Sequence, residues 1–289
     1  MRTDGLFRTK LVRLKAWPTG KPLTLIPFGD IHHDSPAHAA DAFGKFCDHA
    51  RRQKDALFLG MGDYLDSFST SERAIIYDRR LHDSTCKGQE RGCRRRIGAL
   101  ADQLEFMRGK LIGLLGGNHY PEFQDGTTGD MVLAERLGTS YLGACAAIRI
   151  AFGRADSGHT CACDIFAHHG KGLGTTAGGR FNSVEKLLGV CDCDIALMGD
   201  NHARGCFPAG DRLHLHSAST NGGLVIKSKA RWIGRTGSFL RGYVDNESSY
   251  VVDGAMPPSN LGWIEFVLTP LRDRSDGIDI LSVHIGARQ

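Results

Sequence analysis

A chain of 289 residues with 41% hydrophobic and 24% charged residues has the composition of an ordinary globular protein, and that apolar fraction excludes disorder as its main state. No run of about 18 apolar residues occurs, which excludes a transmembrane helix. The 36 Lys and Arg against 32 Asp and Glu leave a net charge of +4, too weak a bias to commit the chain to nucleic acid by charge alone.

Arg2, Arg8, Lys10, Arg13 and Lys15 break up the first twenty residues. A signal peptide is therefore not expected, nor a membrane partner, and the expected location is cytoplasmic. Nine cysteines, an odd number, fit reduced thiols better than a secreted disulfide framework. Cys161/Cys163 and Cys191/Cys193 would each share a strand face, but one intervening residue is short for a zinc ligand pair. They are read as buried apolar groups.

In chain order, the apolar run 23–28 predicts a strand and 37–54 a helix. Strands are expected again at 56–59 and 111–115, with helices at 95–109 and near 129–137. Residues 146–150 and 163–167 read as a hairpin turning through 153–158, and a helix near 181–189 precedes a strand at 195–198. Alternation of this kind predicts a layered α/β domain. Beyond Asn201 the chain turns strand-rich, with segments near 212–217, 248–252, 262–268 and 277–285. These predict an added β sheet within a single domain spanning 1–289.

Polar clusters directly follow the predicted strands. They are Gly29-Asp30-Ile31-His32-His33-Asp34, Gly60-Met61-Gly62-Asp63-Tyr64-Leu65-Asp66, Gly116-Gly117-Asn118-His119-Tyr120, His168-His169-Gly170 and Gly199-Asp200-Asn201-His202. Each taken singly is an ordinary turn composition. Five in succession bring Asp, His and Asn to the carboxyl ends of strands, where open α/β sheets bind their ligands. Oxygen and imidazole donors without thiolate suit Mn, Fe, Zn, Ni or Mg, and carboxylates that bridge two such ions suit displacement at phosphorus.

The order Asp30-x-His32, Gly62-Asp63-x-x-Asp66, Gly117-Asn118-His119, His169-Gly170 and Asp200-x-His202 resembles the calcineurin-like metallophosphoesterase family over residues 30–202. The resemblance implies a four-layer α/β/β/α sandwich with two divalent metal ions, Mn being the first expectation. It implies hydrolysis of a phosphate ester by a hydroxide shared between the ions. Asp30, His32, Asp63 and His202 would hold one ion. Asp63 would bridge to the second, held also by Asn118, Asp200 and one histidine of the 168/169 pair. His169 precedes a glycine as the family's ligand often does, while His168 follows the strand equally well. His119 matches the catalytic histidine and Asp66 the carboxylate that orients it.

Two departures are visible. Asp200 stands where the family usually has the first histidine of Gly-His-x-His, a choice that favours harder ions such as Mn or Mg over Zn. Tyr120 stands where an acidic residue is more usual, with Glu122 close in sequence.

Three flanking segments bear on substrate. The polar insert 70–97 contains Arg79, Arg80, His82 and the basic run Lys87, Arg91, Arg94, Arg95 and Arg96. A second basic stretch holds Lys227, Lys229, Arg231, Arg235 and Arg241 around Trp232 and Phe239. Both could meet phosphates, which points to a nucleotide or nucleic-acid phosphodiester before a protein phosphate. Five glycines fall within 170–179, a stretch whose amides could wrap phosphate oxygens. The alternative is a catalytically weak relative that binds nucleic acid or a protein partner.

Overall fold

The computed structural model of the chain describes residues 7–68, 73, 82–153, 160–170, 174, 176–217, 224–246, 250–253, 257–258, 260–275 and 278–288. It is a mixed α/β structure with two mixed sheets. One sheet runs in the order β1 (Arg8–Leu14), β5 (Cys145–Gly153), β6 (Thr160–His168), β7 (Ile195–Met198), β9 (Leu224–Thr236) and β8 (Arg204–Ser217). The other runs β11 (Ile278–Arg288), β10 (Glu265–Ser275), β2 (Leu23–Phe28), β3 (Ala56–Gly60) and β4 (Leu111–Leu114).

Three buried clusters account for how the elements stack. Leu23, Leu25, Leu59 and Ile112 from one sheet meet Ile148, Ile165, Ile195 and Leu197 from the other. Alternate residues on the opposite face, Ile26, Phe28 and Phe58, pack with Phe43, Phe46, Leu100 and Leu133. Those last four come from the helices α1 (Ala40–Arg52), α2 (Asp83–Leu104) and α3 (Gly129–Arg136). Helix α1 buries Phe43, Phe46, Cys47 and Ala50, the i, i+3, i+4, i+7 stripe of an amphipathic helix. Outside the first sheet, Phe166, Ala196, Met198 and Ile233 pack on Val184, Leu187 and Leu188, from α4 (Ala177–Glu185) and the 3-10 turn Lys186–Gly189. With side chains covered on both faces, β2 and β7 are buried almost throughout, which is why they read as unbroken apolar runs.

The predicted strands and helices before residue 200 are present, with shifted ends. Helix α2 begins at Asp83, inside the expected polar insert, and the His82 side chain caps it by accepting from the Ser84 amide. Its arginines are partly neutralised: Arg94 pairs with Glu90 and Asp125, and Arg96 with Asp34. Arg79 and Arg80, and the 154–159 turn of the hairpin, lie outside the described residues.

The C-terminal part departs further from expectation. Its strands extend the two sheets already present: β8 and β9 continue from β7, and β10 and β11 from β2. The segment expected as a strand at 248–252 contains a helical turn, Tyr250–Asp253. The second basic stretch forms most of β9 and then runs into the core. Arg235 and Phe239 are buried, Lys229 pairs with Asp194, and Arg241 pairs with Asp41. It is therefore not a continuous phosphate-facing surface. Among the described residues, no helix is long and apolar enough to cross a membrane.

Candidate metal centre

The parallel strands β2, β3 and β4 of one sheet and β6 and β7 of the other end at the same edge. The loops that follow are zipped together by backbone hydrogen bonds. Asp30 and Ile31 donate to the carbonyls of Gly62 and Asp63, and Gly199 donates to His169. Among the contacts between the two sheets, the Asp200 amide donates to both carboxylate oxygens of Asp30, at 3.1 and 3.0 Å.

The backbone at these positions is strained in a common way. Among the described residues seven non-glycines have positive φ, and Asp30 (47°), His32 (45°), Asp63 (51°), Asp200 (63°) and His202 (56°) are five of them. The left-handed region is unfavourable for side chains with a Cβ, and residues held there concentrate at functional sites. Glycines make the close approach feasible. A Cβ on Gly117 would stand 2.0 Å from Asp63 Oδ1, and one on Gly62 would stand 2.5 Å from His169 Nδ1.

Two groups of side chains have the proximity a metal ion requires. Ligand atoms of Asp30, His32 and His202 lie within 4.8 Å of one another, as do those of Asp30, Asp63 and His169. Asp63 reaches both groups, with Oδ2 at 3.9 Å from His32 Nε2 and 3.4 Å from His169 Nε2. Asp200 Oδ1 is 3.7 Å from His169 Nε2. These buried groupings could hold a metal ion.

The donor atoms fit such an ion. His169 Nδ1 lies 2.7 Å from the Met61 carbonyl, so that nitrogen donates and Nε2 offers a lone pair toward the centre. His32 Nδ1 is likewise taken up by Asp66 Oδ1 at 2.9 Å. Buried His32 Nε2 and Asp200 Oδ2 have no hydrogen-bond partner among the described residues, a costly arrangement unless a ligand satisfies them. Asn118 turns its amide oxygen toward acceptors. With the amide reversed its nitrogen donates to Asp63 Oδ2 at 2.7 Å, so either end of the side chain faces the centre.

The electrostatics agree. Burial pushes the Asp30 carboxyl up to about 7. Burial also disfavours the charge on His169, but Asp63, Asp30 and Asp200 prevail and raise it to about 10. His202 is pushed down to about 3, by burial first and by His32 second. His169 is thus the countercharge these carboxylates have within the chain, and a dication bound here would take that part and leave Nε2 its lone pair.

A third cluster has a different construction. His119 Nδ1 is 3.1 Å from Asp66 Oδ1, the oxygen that also meets His32 Nδ1. Burial acts to raise the Asp66 carboxyl, but its bonds to His119 and His32 prevail and hold it well below the ordinary range. The His119 side chain is 25% exposed and so reaches solvent while tied to this carboxylate.

Of the predicted site residues, Asp30, His32, Asp63, Asp66, Asn118, His119, His169, Asp200 and His202 come together. His168 does not join any ligand group among the described residues; its Nδ1 accepts from the Gly170 amide at 2.8 Å. Tyr120 lies against the Arg73 guanidinium, 3.8 Å from its ring centre. Glu122 bridges to Thr128. Much of the glycine stretch, 171–173 and 175, lies outside the described residues.

Two residues support the site in ways the sequence does not announce, Arg235 standing there only as part of a basic stretch. Buried Asp130 accepts from the Gly117 amide at 2.9 Å, fixing the loop of Asn118 and His119. Arg235, fully buried, donates to the carbonyls of Gly199 (2.5 Å) and Arg180 (2.8 Å) and to Ser183 Oγ. No protein family and no curated protein matches the chain.

Proposed function

We propose that this protein is a metal-dependent phosphoesterase of the calcineurin-like metallophosphoesterase type. On this reading the two sheets and their flanking helices are that family's four-layer sandwich, acting in the cytoplasm. The observation that carries the proposal is the convergence of Asp30, His32, Asp63, Asn118, His169, Asp200 and His202 from five loops onto one edge, beside a histidine tied to a carboxylate.

Asp30, His32, Asp63 and His202 would hold one divalent ion, and Asp63, Asn118, His169 and Asp200 a second, with Mn the first expectation. When bound, such ions supply Lewis-acid polarisation of a phosphoryl group and make water nucleophilic at neutral pH. The chain's own residues do the rest. The Met61 carbonyl and Asp66 fix the tautomers of His169 and His32. His119 protonates the departing oxygen, and its contact with Asp66 fixes the ring's orientation for that step. Burial of the Asp30 and Asp63 side chains keeps competing water from these carboxylates. Phosphodiesters of nucleotides or nucleic acid are the expected substrates, and exposed Arg91 and Arg95 on α2 are available to meet their phosphates.

The test is hydrolysis of bis-p-nitrophenyl phosphate with added Mn, comparing wild type with His119→Ala, alongside elemental analysis of the purified protein. Turnover that needs both metal and His119, with two ions per chain, is the expected result. Bound metal without His119-dependent turnover on any mono- or diester would instead identify a non-catalytic binding protein.

A further inference from the structure

A cavity of roughly 280 Å³ is lined by His49, Arg204, Trp263, Glu265 and Arg288. None of the candidate metal ligands lines it. It lies where α1, the start of β8 and the paired ends of β10 and β11 meet, and Glu265 stands opposite Arg288 in the ladder. The wall contains two guanidinium groups and one carboxylate.

That carboxylate is already engaged. Glu265 is buried, and its Oε1 accepts from Trp263 Nε1 at 3.0 Å and lies in a short contact with His49 Nε2. Trp263 has thus used its only donor, and it is fixed edge-on between Phe46 (5.3 Å) and His49 (5.2 Å). The arginines are different. Neither Arg204 nor Arg288 forms an ion pair among the described residues. Both are exposed, and the Arg204 guanidinium lies over bare backbone at Gly262. A Cβ there would stand 2.6 Å from Nη1, and Gly262 sits at φ 117°.

Two unpaired guanidinium forks facing one cavity are the donor set for an oxyanion, since each presents paired N–H groups to carboxylate or phosphate. The volume is at the lower limit of small-molecule sites, suited to a single compact anion and too small for a polymer chain. We propose that this cavity binds the phosphate or carboxylate group of a small metabolite between Arg204 and Arg288. The inference is independent of the phosphoesterase reading.

The probes are inorganic phosphate and succinate, titrated calorimetrically into the intact protein at constant ionic strength. Phosphate bound at the metal centre would contribute equally in wild type and in variants of the cavity, so the difference between them reports this site. Arg204→Gln and Arg288→Gln should each raise the dissociation constant about tenfold, the loss of one charge-assisted pair. Saturation by phosphate alone identifies a phosphorylated ligand, and saturation by succinate a carboxylate. No binding of either anion, or wild-type affinity in the double variant, overturns the proposal. A readout on the unaltered protein guards against misfolding of the variants. Phosphate or succinate should slow phenylglyoxal modification of Arg204 and Arg288 at least threefold, and unchanged modification rates at both would also overturn it.

Discussion

His119 rests against Asp66, Nδ1 to Oδ1 at 3.1 Å, and the same oxygen receives His32 Nδ1 at 2.9 Å. One carboxylate therefore sets the orientation of a candidate metal ligand and of a candidate proton donor. Asp66→Asn retains an acceptor but removes the carboxylate charge from both histidine contacts. Outer partners of this kind are worth about 10–100-fold in affinity or activity. The expected outcome is a fall of that size in kcat on a diester substrate with two ions still bound at saturating Mn. Unchanged kcat would remove Asp66 from the mechanism.

Gly117 and Gly44 should respond in opposite directions to the same substitution. A Cβ at Gly117 would stand 2.0 Å from Asp63 Oδ1 and 2.3 Å from the Asp63 backbone nitrogen, with no flexible neighbour able to yield. Gly117→Ala is expected to destabilise the fold by about 3 kcal/mol, an overpacking cost, and to impair metal binding. Gly44 lies within α1 with nothing inside 4 Å. Gly44→Ala should stabilise by about 0.5–1 kcal/mol through the helix-propensity difference. Urea midpoints of the two variants against wild type measure both.

The difference between what was legible and what was not follows from the range of the interactions. Asp30, Asp63, Asn118 and Asp200 could be read because each directly follows a strand buried on both faces, so apolar run and polar cluster are adjacent in sequence. Strand β1 passed unnoticed because its alternation places Arg8 and Lys10 among half-exposed apolar positions. Strand β9 reads as a basic stretch because Lys227 and Lys229 recur at alternate positions along a two-stranded arm. Asp130 resembles any acidic residue in the first turn of a helix, and its partner Gly117 is thirteen positions away. The choice of His169 over His168 as a cluster member depends on which of two adjacent side chains turns toward Met61, a contact spanning 108 positions. Such long-range contacts leave no periodic mark in the chain.

Arg235 should behave as a structural residue and not as a substrate contact. It is fully buried, and its guanidinium ties the Gly199 carbonyl, next to Asp200, to Arg180 and Ser183. Arg235→Met would remove a charged donor from the Gly199 and Arg180 carbonyls, each such bond being worth about 1.5–3 kcal/mol, and leave them the Asn201 amide and the Ser183 hydroxyl. A stability loss of about 3 kcal/mol is expected, together with weaker metal binding through the Asp200 loop. Arg91→Met, on the exposed face of α2, should leave stability unchanged within about 0.5 kcal/mol. If both variants melted like wild type, the buried guanidinium would not hold the loop.

Alkaline pH should expose the cost of burying thiols. All nine cysteines are free. Burial raises Cys193 to about 12 and Cys47 to about 11 from an ordinary 9. A thiol whose folded pKa lies above its unfolded value contributes no pH dependence below pH 9, where both states hold the proton. Above pH 9 the unfolded chain ionises first and binds fewer protons, so stability falls as pH rises through 9 toward 12. The loss is about 1.4 kcal/mol per pH unit for each such group across its window. Urea unfolding at pH 8, 9, 10 and 11 should show a flat limb followed by a decline. Cys193→Ala should make that decline shallower by about one group's share, and a slope unchanged by the substitution would place the alkaline sensitivity elsewhere.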